Sequence, residues 1–281
     1  MTRTTFLALV GTTLINVALA PQPAAGDELA SERHACIDHG GMSCEQDLEE
    51  FLRTADVVEI QEVGDGITRP RRVTLRKGGR ICRAVFKTVD ITSTDLHYTN
   101  RLEQIFTDRY VYEVAAYRID RLLGIGLVPV TVLREIDGEV GSLQHWIENS
   151  VKMQDAIDRN LQVGDTDLLL QRLMLMYILD AVIYNIDRNF NNVLVRPGQD
   201  QFFLIDHSRA FRTHKKLPSL KEERPIPIPE HVAEQLRELD LEALQAELDG
   251  LLSTRQIRSL AKRSELLVAD LDSRGVLPHT G

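Results

Sequence analysis

Between residues 57 and 90 apolar and polar positions roughly alternate in short runs broken by glycines. "VVEIQEVGDGITRPRRVTLRKGGRICRAVFKTVD" predicts a strand, a turn at Gly64 and Gly66, a second strand, a Gly78-Gly79 hairpin and a third strand over 80–89. The period then lengthens. Within "TDRYVYEVAAYRIDRLLGIG", Val111, Val114, Ala115, Ile119, Leu122 and Leu123 recur at helical spacing, and Gly124 ends the run. "LVPVTVLREIDGEVGSLQHWIE" predicts two strands around an Asp-Gly hairpin, then a short connector. From about residue 150 the helical period takes over. A long apolar helix is expected over 165–184, and amphipathic helices over 229–274; a short helix is expected over 46–55. A strand-rich front half before a helix-rich back half predicts an α+β chain of two lobes with a cleft between them.

At 281 residues, 43% hydrophobic and 27% charged, the chain has ample material for a core. A formal net charge of -9 argues against a general nucleic-acid binder, which would carry a basic face. The first residues, "MTRTTFLALVGTTLINVALAPQPAAGDE", have a lone Arg, an apolar run from Phe6 to Ala20, then small residues and prolines. That is the layout of a secretory signal peptide over 1–26, and the run is short for a membrane span of about 20 residues. An extracytoplasmic location is therefore expected, with no membrane span in the mature chain. In an oxidising compartment Cys36 and Cys44 would close a loop within the segment 27–56. His34 and His39 make a metal cluster conceivable there, but the spacing fits no zinc pattern well. Cys82, inside an apolar run, reads as a buried thiol.

Chemistry concentrates in "YNIDRNFNNVLV", residues 184–195. Asp and Asn are common turn residues, so the stretch alone is a turn. Its place in the chain says more. A Gly-containing hairpin comes first, then Lys87 in the third strand, although lysine is seldom buried without a partner. Glu113 follows on the next helix. Asp187 and Asn192 stand five positions apart after the long helix, and Asp206 follows the apolar run "FFLI". Phosphoryl transfer from a nucleotide requires these parts. A loop covers the phosphates, here around Gly64 and Gly66, and a glutamate-braced lysine grips them. A carboxylate orients the acceptor hydroxyl, while an Asn and a second Asp hold the metal.

"IYNIDRNFNNVLV" followed by "FFLIDHSRAF" resembles the catalytic core of the atypical branch of the kinase superfamily. Phosphatidylinositol 3-/4-kinases, HipA-type kinases and four-jointed-type secretory-pathway kinases share an Asn-x-Asp-Arg-x-x-x-Asn loop. They also share an Ile-Asp metal motif. Asn185, Asp187, Arg188 and Asn192 match the loop, and Asp206 matches the metal motif. "YEVAAYRIDRLLGIGLVPVT" resembles the helix-to-strand segment, which gives Glu113 the lysine-partner role, with Glu103 as its rival. "GSLQHWIE" resembles the connector between lobes. The resemblance spans roughly residues 57–265 and is specific over 184–211.

It implies a two-lobed atypical protein-kinase-like fold, with a strand-rich N-lobe over 57–148 and a helical C-lobe over 149–275. It implies ATP with Mg²⁺ or Mn²⁺ as cofactors and a protein or other hydroxyl-bearing acceptor. Lys87, Gly64, Gly66, Asn192 and Asp206 would hold nucleotide, and Asn192 and Asp206 the metal. Asp187, Lys87 and Glu113 would carry catalysis. The phosphate loop departs from Gly-x-Gly-x-x-Gly, and His207-Ser208 stands where ordinary protein kinases have Phe-Gly. The first departure keeps open a catalytically silent nucleotide-binding scaffold. A lipid or sugar acceptor, and nucleotidyl transfer, also stay open. Around the motifs, Arg188 is expected to pair with a carboxylate inside the loop. Asn189 and Asn191 are expected to serve the turn, and Arg69, Arg71 and Arg72 to form an exposed basic hairpin. Trp146 is expected to pack in the core unless it meets adenine, His207 only to pack, and Lys215 and Lys216 to be solvated.

Overall fold

The computed structural model describes residues 45–63, 69–93, 106–218 and 226–278. Gly64, Gly66, Glu103, Cys36, Cys44 and the signal-peptide stretch lie outside the described residues. The first element is α1 (Glu45–Thr54), whose apolar face buries Leu48, Phe51 and Leu52. Strands β1 (Asp56–Glu62), β2 (Arg71–Lys77) and β3 (Arg80–Lys87) follow as an antiparallel meander. Gly78 and Gly79 join β2 to β3 with φ of 57° and 78°, the left-handed pair that a two-residue hairpin turn needs. In β3, Cys82, Ala84 and Phe86 face the core. The period of two therefore sends Arg83, Val85 and Lys87 to the opposite face.

β4 (Asp90–Ser93) and β5 (Phe106–Arg109) form a separate antiparallel pair, which corrects the sequence reading of "TDRYV…" as the start of a helix. The helix α2 runs from Val111 to Leu123. It ends at Gly124, φ 63°, with Gly124 N donating to Arg121 O and Ile125 N to Asp120 O, the bonding of a left-handed C-cap. β6 (Thr131–Ile136) and β7 (Glu139–His145) turn around Asp137-Gly138. They complete a five-stranded sheet of order β1-β2-β3-β7-β6. β7 extends through His145, so most of "GSLQHWIE" is strand and the connector begins at Trp146.

Beyond the connector lie β8 (Val151–Lys152), α3 (Met153–Asp158) and α4 (Thr166–Ile183). The N-cap Asp165 accepts from Asp167 N and Leu168 N. α4 ends at Tyr184, held left-handed at φ 55°. A 3₁₀ turn over Phe190–Asn192 leads into β9 (Val193–Val195) and β10 (Phe202–Leu204), which with β8 make a small sheet of order β10-β9-β8. α5 (Glu230–Glu238), α6 (Leu241–Leu248) and α7 (Thr254–Ser273) close the C-lobe. Ser253 and Gln256 form a capping box at the start of α7. One continuous apolar core runs through both lobes. Among the described residues no helix is long and apolar enough to cross a membrane.

Candidate active site

Lys87 ends β3 on the face away from the sheet's core, and Glu113 sits in the first turn of α2. Their side chains meet: Lys87 Nζ donates to Glu113 Oε1 at 2.6 Å and to Asp206 Oδ1 at 3.0 Å. The Glu113 side chain is 1% exposed and that of Asp206 46%, so the lysine bridges a buried brace and an open carboxylate. Burial draws the Lys87 ammonium down, but Glu113 and Asp206 outweigh it and hold its pKa above the ordinary lysine value. Burial pushes Glu113 up, and Lys87 and His207 more than offset that, leaving its carboxyl well below the usual range.

His207 does more than pack. Its backbone N–H donates to Glu113 Oε2 at 3.0 Å, and its Nδ1 lies 3.3 Å from the same oxygen. Its Nε2 lies 2.9 Å from Arg188 Nη2. Arginine only donates, so Nε2 accepts and Nδ1 carries the proton toward Glu113. A fully buried imidazole thus joins the lysine brace to the loop.

Arg188 occupies all five of its donors. Nε and Nη2 reach Asp180 Oδ2 and Oδ1 at 2.9 and 3.0 Å. Nη1 reaches the carbonyls of Asn192 and Ile205 at 2.7 and 2.8 Å, and Nη2 also meets His207. Its carboxylate partner lies on α4, not inside the loop as the sequence suggested. Asn185 donates to Asp180 Oδ1 at 3.0 Å and accepts from Asp187 N at 3.2 Å. Asn189 accepts from Asn191 N at 2.9 Å and donates to Asp187 O at 3.0 Å, the turn role expected of it. Asn192 donates to Asp187 O at 3.4 Å. Ile205 N donates to Asn192 O at 3.1 Å, so Asn192 and the Asp206 segment lie side by side. Asp206 itself has φ 63°, a left-handed conformation that Asp tolerates better than most residues.

Asp187 lies on the same loop, half exposed, and its Oδ2 accepts from Arg209 Nη1 at 3.0 Å. Arg209 also lies over the Phe106 ring, 5.0 Å from its centroid. Sequence reasoning missed Arg209, and it missed Asp108 on β5. Burial pushes the Asp108 carboxyl up, and Ser208 draws it back; its Oδ1 is buried with no hydrogen-bond partner. The position of Arg209 three residues after Asp206 was the one available signal. Nothing local marked Asp108.

The other residues singled out scatter. Arg71 pairs with Glu139 and lies over Phe86, and Arg72 donates to Gln61. Both sit on a half-buried strand, not an exposed hairpin. Arg72 and Arg83 lie 5.7 and 5.8 Å from the Trp146 ring centroid, so the indole is half-buried among guanidinium groups. Cys82 is buried, and burial pushes its thiol up to about 11. Lys215 and Lys216 are exposed.

Among the described residues no three His, Cys, Asp or Glu side chains cluster as a metal site. An Asp carboxylate beside an Asn amide nonetheless suits Mg²⁺ or Mn²⁺. Such ions take hard oxygen donors and commonly use one or two carboxylates plus substrate phosphates. The donor set therefore fits a nucleotide-bound divalent cation.

No protein-family profile matches the chain, and no curated protein matches it in sequence. Solved structures do match in shape. A hydra Fam20 structure with sugar is 14% identical over 88% of this chain and 96% of its own, with a TM-score of 0.59. A Golgi casein kinase with Mn/ADP bound is 16% identical over 83% of this chain and 77% of its own, TM-score 0.55. The Helicobacter pylori proinflammatory kinase CtkA is 12% identical over 81% of this chain and 99% of its own, TM-score 0.53. With a sheet-rich N-lobe, a helical C-lobe and these neighbours, the chain has the two-lobed fold of the atypical kinases.

Proposed function

We propose that the chain is an exported, metal-dependent kinase that moves the γ-phosphate of ATP to a hydroxyl acceptor, first among them a protein Ser or Thr. The observation that carries this reading is Lys87, held between buried Glu113 and open Asp206 at 2.6 and 3.0 Å. Such an ammonium is held in place and charged, as a group that grips nucleotide phosphates must be. Asp206 and Asn192 would hold Mg²⁺ or Mn²⁺, which neutralises phosphate charge when bound. Asp187 accepts the acceptor's hydroxyl proton, and Arg188 keeps its loop in shape through Asp180 and His207. Gly64 and Gly66 belong to the loop expected over the phosphates. A solved neighbour with Mn/ADP bound supports the nucleotide and metal, and its description as a casein kinase supports a protein acceptor. The signal-peptide layout of residues 1–26 supports export.

The test is incubation with γ-labelled or α-labelled ATP, with Mg²⁺ or Mn²⁺ and dephosphorylated casein, beside Asp206→Ala and Asp187→Ala variants. Expected is transfer of γ label only, lost in both variants. Metal-dependent nucleotide binding is lost in the Asp206 variant and kept in the Asp187 variant. Transfer of α label would mean nucleotidyl transfer. Binding without any transfer would favour the silent scaffold or a lipid or sugar acceptor.

A further inference from the structure

Arg209 has no part in the proposed site so far, yet its Nη1 is 3.0 Å from Asp187 Oδ2. The two side chains are 30% and 49% exposed, and so open an ion pair contributes little to stability. Its geometry is fixed from elsewhere. The guanidinium rests 5.0 Å from the Phe106 ring centroid. Phe106 opens β5, whose Arg109 N donates to Ser208 O at 2.9 Å. The β4–β5 pair of the N-lobe thus holds a cation against the carboxylate of a C-lobe loop.

We propose that Arg209 is a positioning residue for phosphotransfer: by engaging Asp187 Oδ2 it fixes the carboxylate plane and leaves Oδ1 to the acceptor hydroxyl. This rests on the reading of Asp187 as the group that receives the acceptor proton. In the step it serves, the hydroxyl oxygen bonds to the γ-phosphorus and its proton passes to Asp187 Oδ1. The bond from the γ-phosphorus to the bridging oxygen breaks, and ADP leaves with the electron pair. Arg209 stays protonated throughout and touches neither reactant.

The test measures ADP formation by the full chain with Mn²⁺ and dephosphorylated casein, together with affinity for Mn²⁺-ADP. The variants are Arg209→Met, Arg209→Lys, Asp187→Asn and the Asp187→Asn/Arg209→Met double. Misplacing a reacting group by an ångström costs about 100-fold in rate, so Arg209→Met should lower kcat by about 10- to 100-fold. KM for ATP and affinity for Mn²⁺-ADP should stay within about twofold of wild type, and Arg209→Lys should recover part of kcat. In the Asp187→Asn background the Met substitution should cost nothing further, because it acts through the missing carboxylate. Unchanged kcat in Arg209→Met, an equal further loss on top of Asp187→Asn, or a matching rise in KM for ATP would each overturn the assignment. Should the Met variant fail to fold, Phe106→Leu carries the same cycle with Asp187→Asn. Absence of ADP from the wild type with casein and with sugar and lipid acceptors alike, or full turnover by Asp187→Asn, would instead bring down the phosphotransfer reading, and this assignment with it. Loss in Asp187→Asn without loss in Arg209→Met would sink the positioning role alone.

Discussion

Both oxygens of Glu113 are engaged, Oε1 by Lys87 and Oε2 by the backbone and ring of His207. A buried carboxylate so held stays ionised, and its partner ammonium does too. The pH window follows from the two shifts. The pKa of Glu113 lies below its unfolded value of about 4.3. Its stabilisation is therefore complete above that value and drains away as pH falls through it toward the folded pKa. The pKa of Lys87 lies above its unfolded value of about 10.4. Its share is complete below that value and declines as pH rises past it. The stability gap between wild type and a Lys87→Met/Glu113→Leu variant should therefore be flat from about pH 5 to 9 and shrink below about pH 4. Denaturant midpoints across that range measure it. A gap that changes steadily between pH 5 and 9 would mean that the pair titrates there.

At the scale of elements, Lys87 is placed by the close approach of β3 and β7. A Cβ at Gly141 would strike the Lys87 carbonyl oxygen and the Phe86 ring, so only glycine lets β7 lie this near the lysine. Gly141→Ala should cost about 1–3 kcal/mol through overpacking and weaken nucleotide binding by shifting the end of β3. Urea melts and ADP titration would show both, and wild-type values in both would show that the strands part without moving Lys87. Elements with strong local signals were legible in the sequence. The two-residue hairpins announce themselves through Gly78-Gly79 and Asp137-Gly138, α2 through its apolar period and Gly124, and α4 through its long, mostly apolar run. The β4–β5 pair was not legible, because four-residue strands joined by twelve intervening residues carry too little pattern to register. The motif residues around 184–206 were found by spacing. Arg209, Asp108 and the linking role of His207 were hidden because each depends on which segments the fold brings together.

Across the whole molecule, the last helix holds the site's parts in place. Gln256 of α7 donates to Tyr112 OH at 2.7 Å and to Phe211 O at 2.9 Å. Tyr112 neighbours Glu113, and its ring lies 5.4 Å from that of Phe211. Two turns further along, Arg263 is fully buried. It donates to Val182 O at 2.8 Å, to Arg212 O at 3.0 Å and to His214 O at 2.6 Å. Val182 is in the last turn of α4, just before the Asp187 loop, and Arg212 and His214 follow the Asp206 segment. A single guanidinium therefore fastens the stretches before Asp187 and after Asp206 to a helix that lies 81 residues beyond the first contact and 51 and 49 beyond the other two. Burial pulls its pKa down to about 10, so it remains charged at neutral pH, at some desolvation cost. Arg263→Met would remove that cost but leave three carbonyls without their donor, at about 1–3 kcal/mol for each one left buried and unsatisfied. The net expectation is a loss of about 2–4 kcal/mol. A purely structural loss would leave the rise in Tm caused by Mn²⁺-ADP as large as in wild type, since that rise depends only on affinity for the folded state. Because Arg263 fastens the segments that carry Asp187 and Asp206, the rise should instead shrink in the variant. Binding must then order what the guanidinium no longer holds. An unchanged rise alongside a lowered Tm would mean that the stretches carrying Asp187 and Asp206 keep their places without α7.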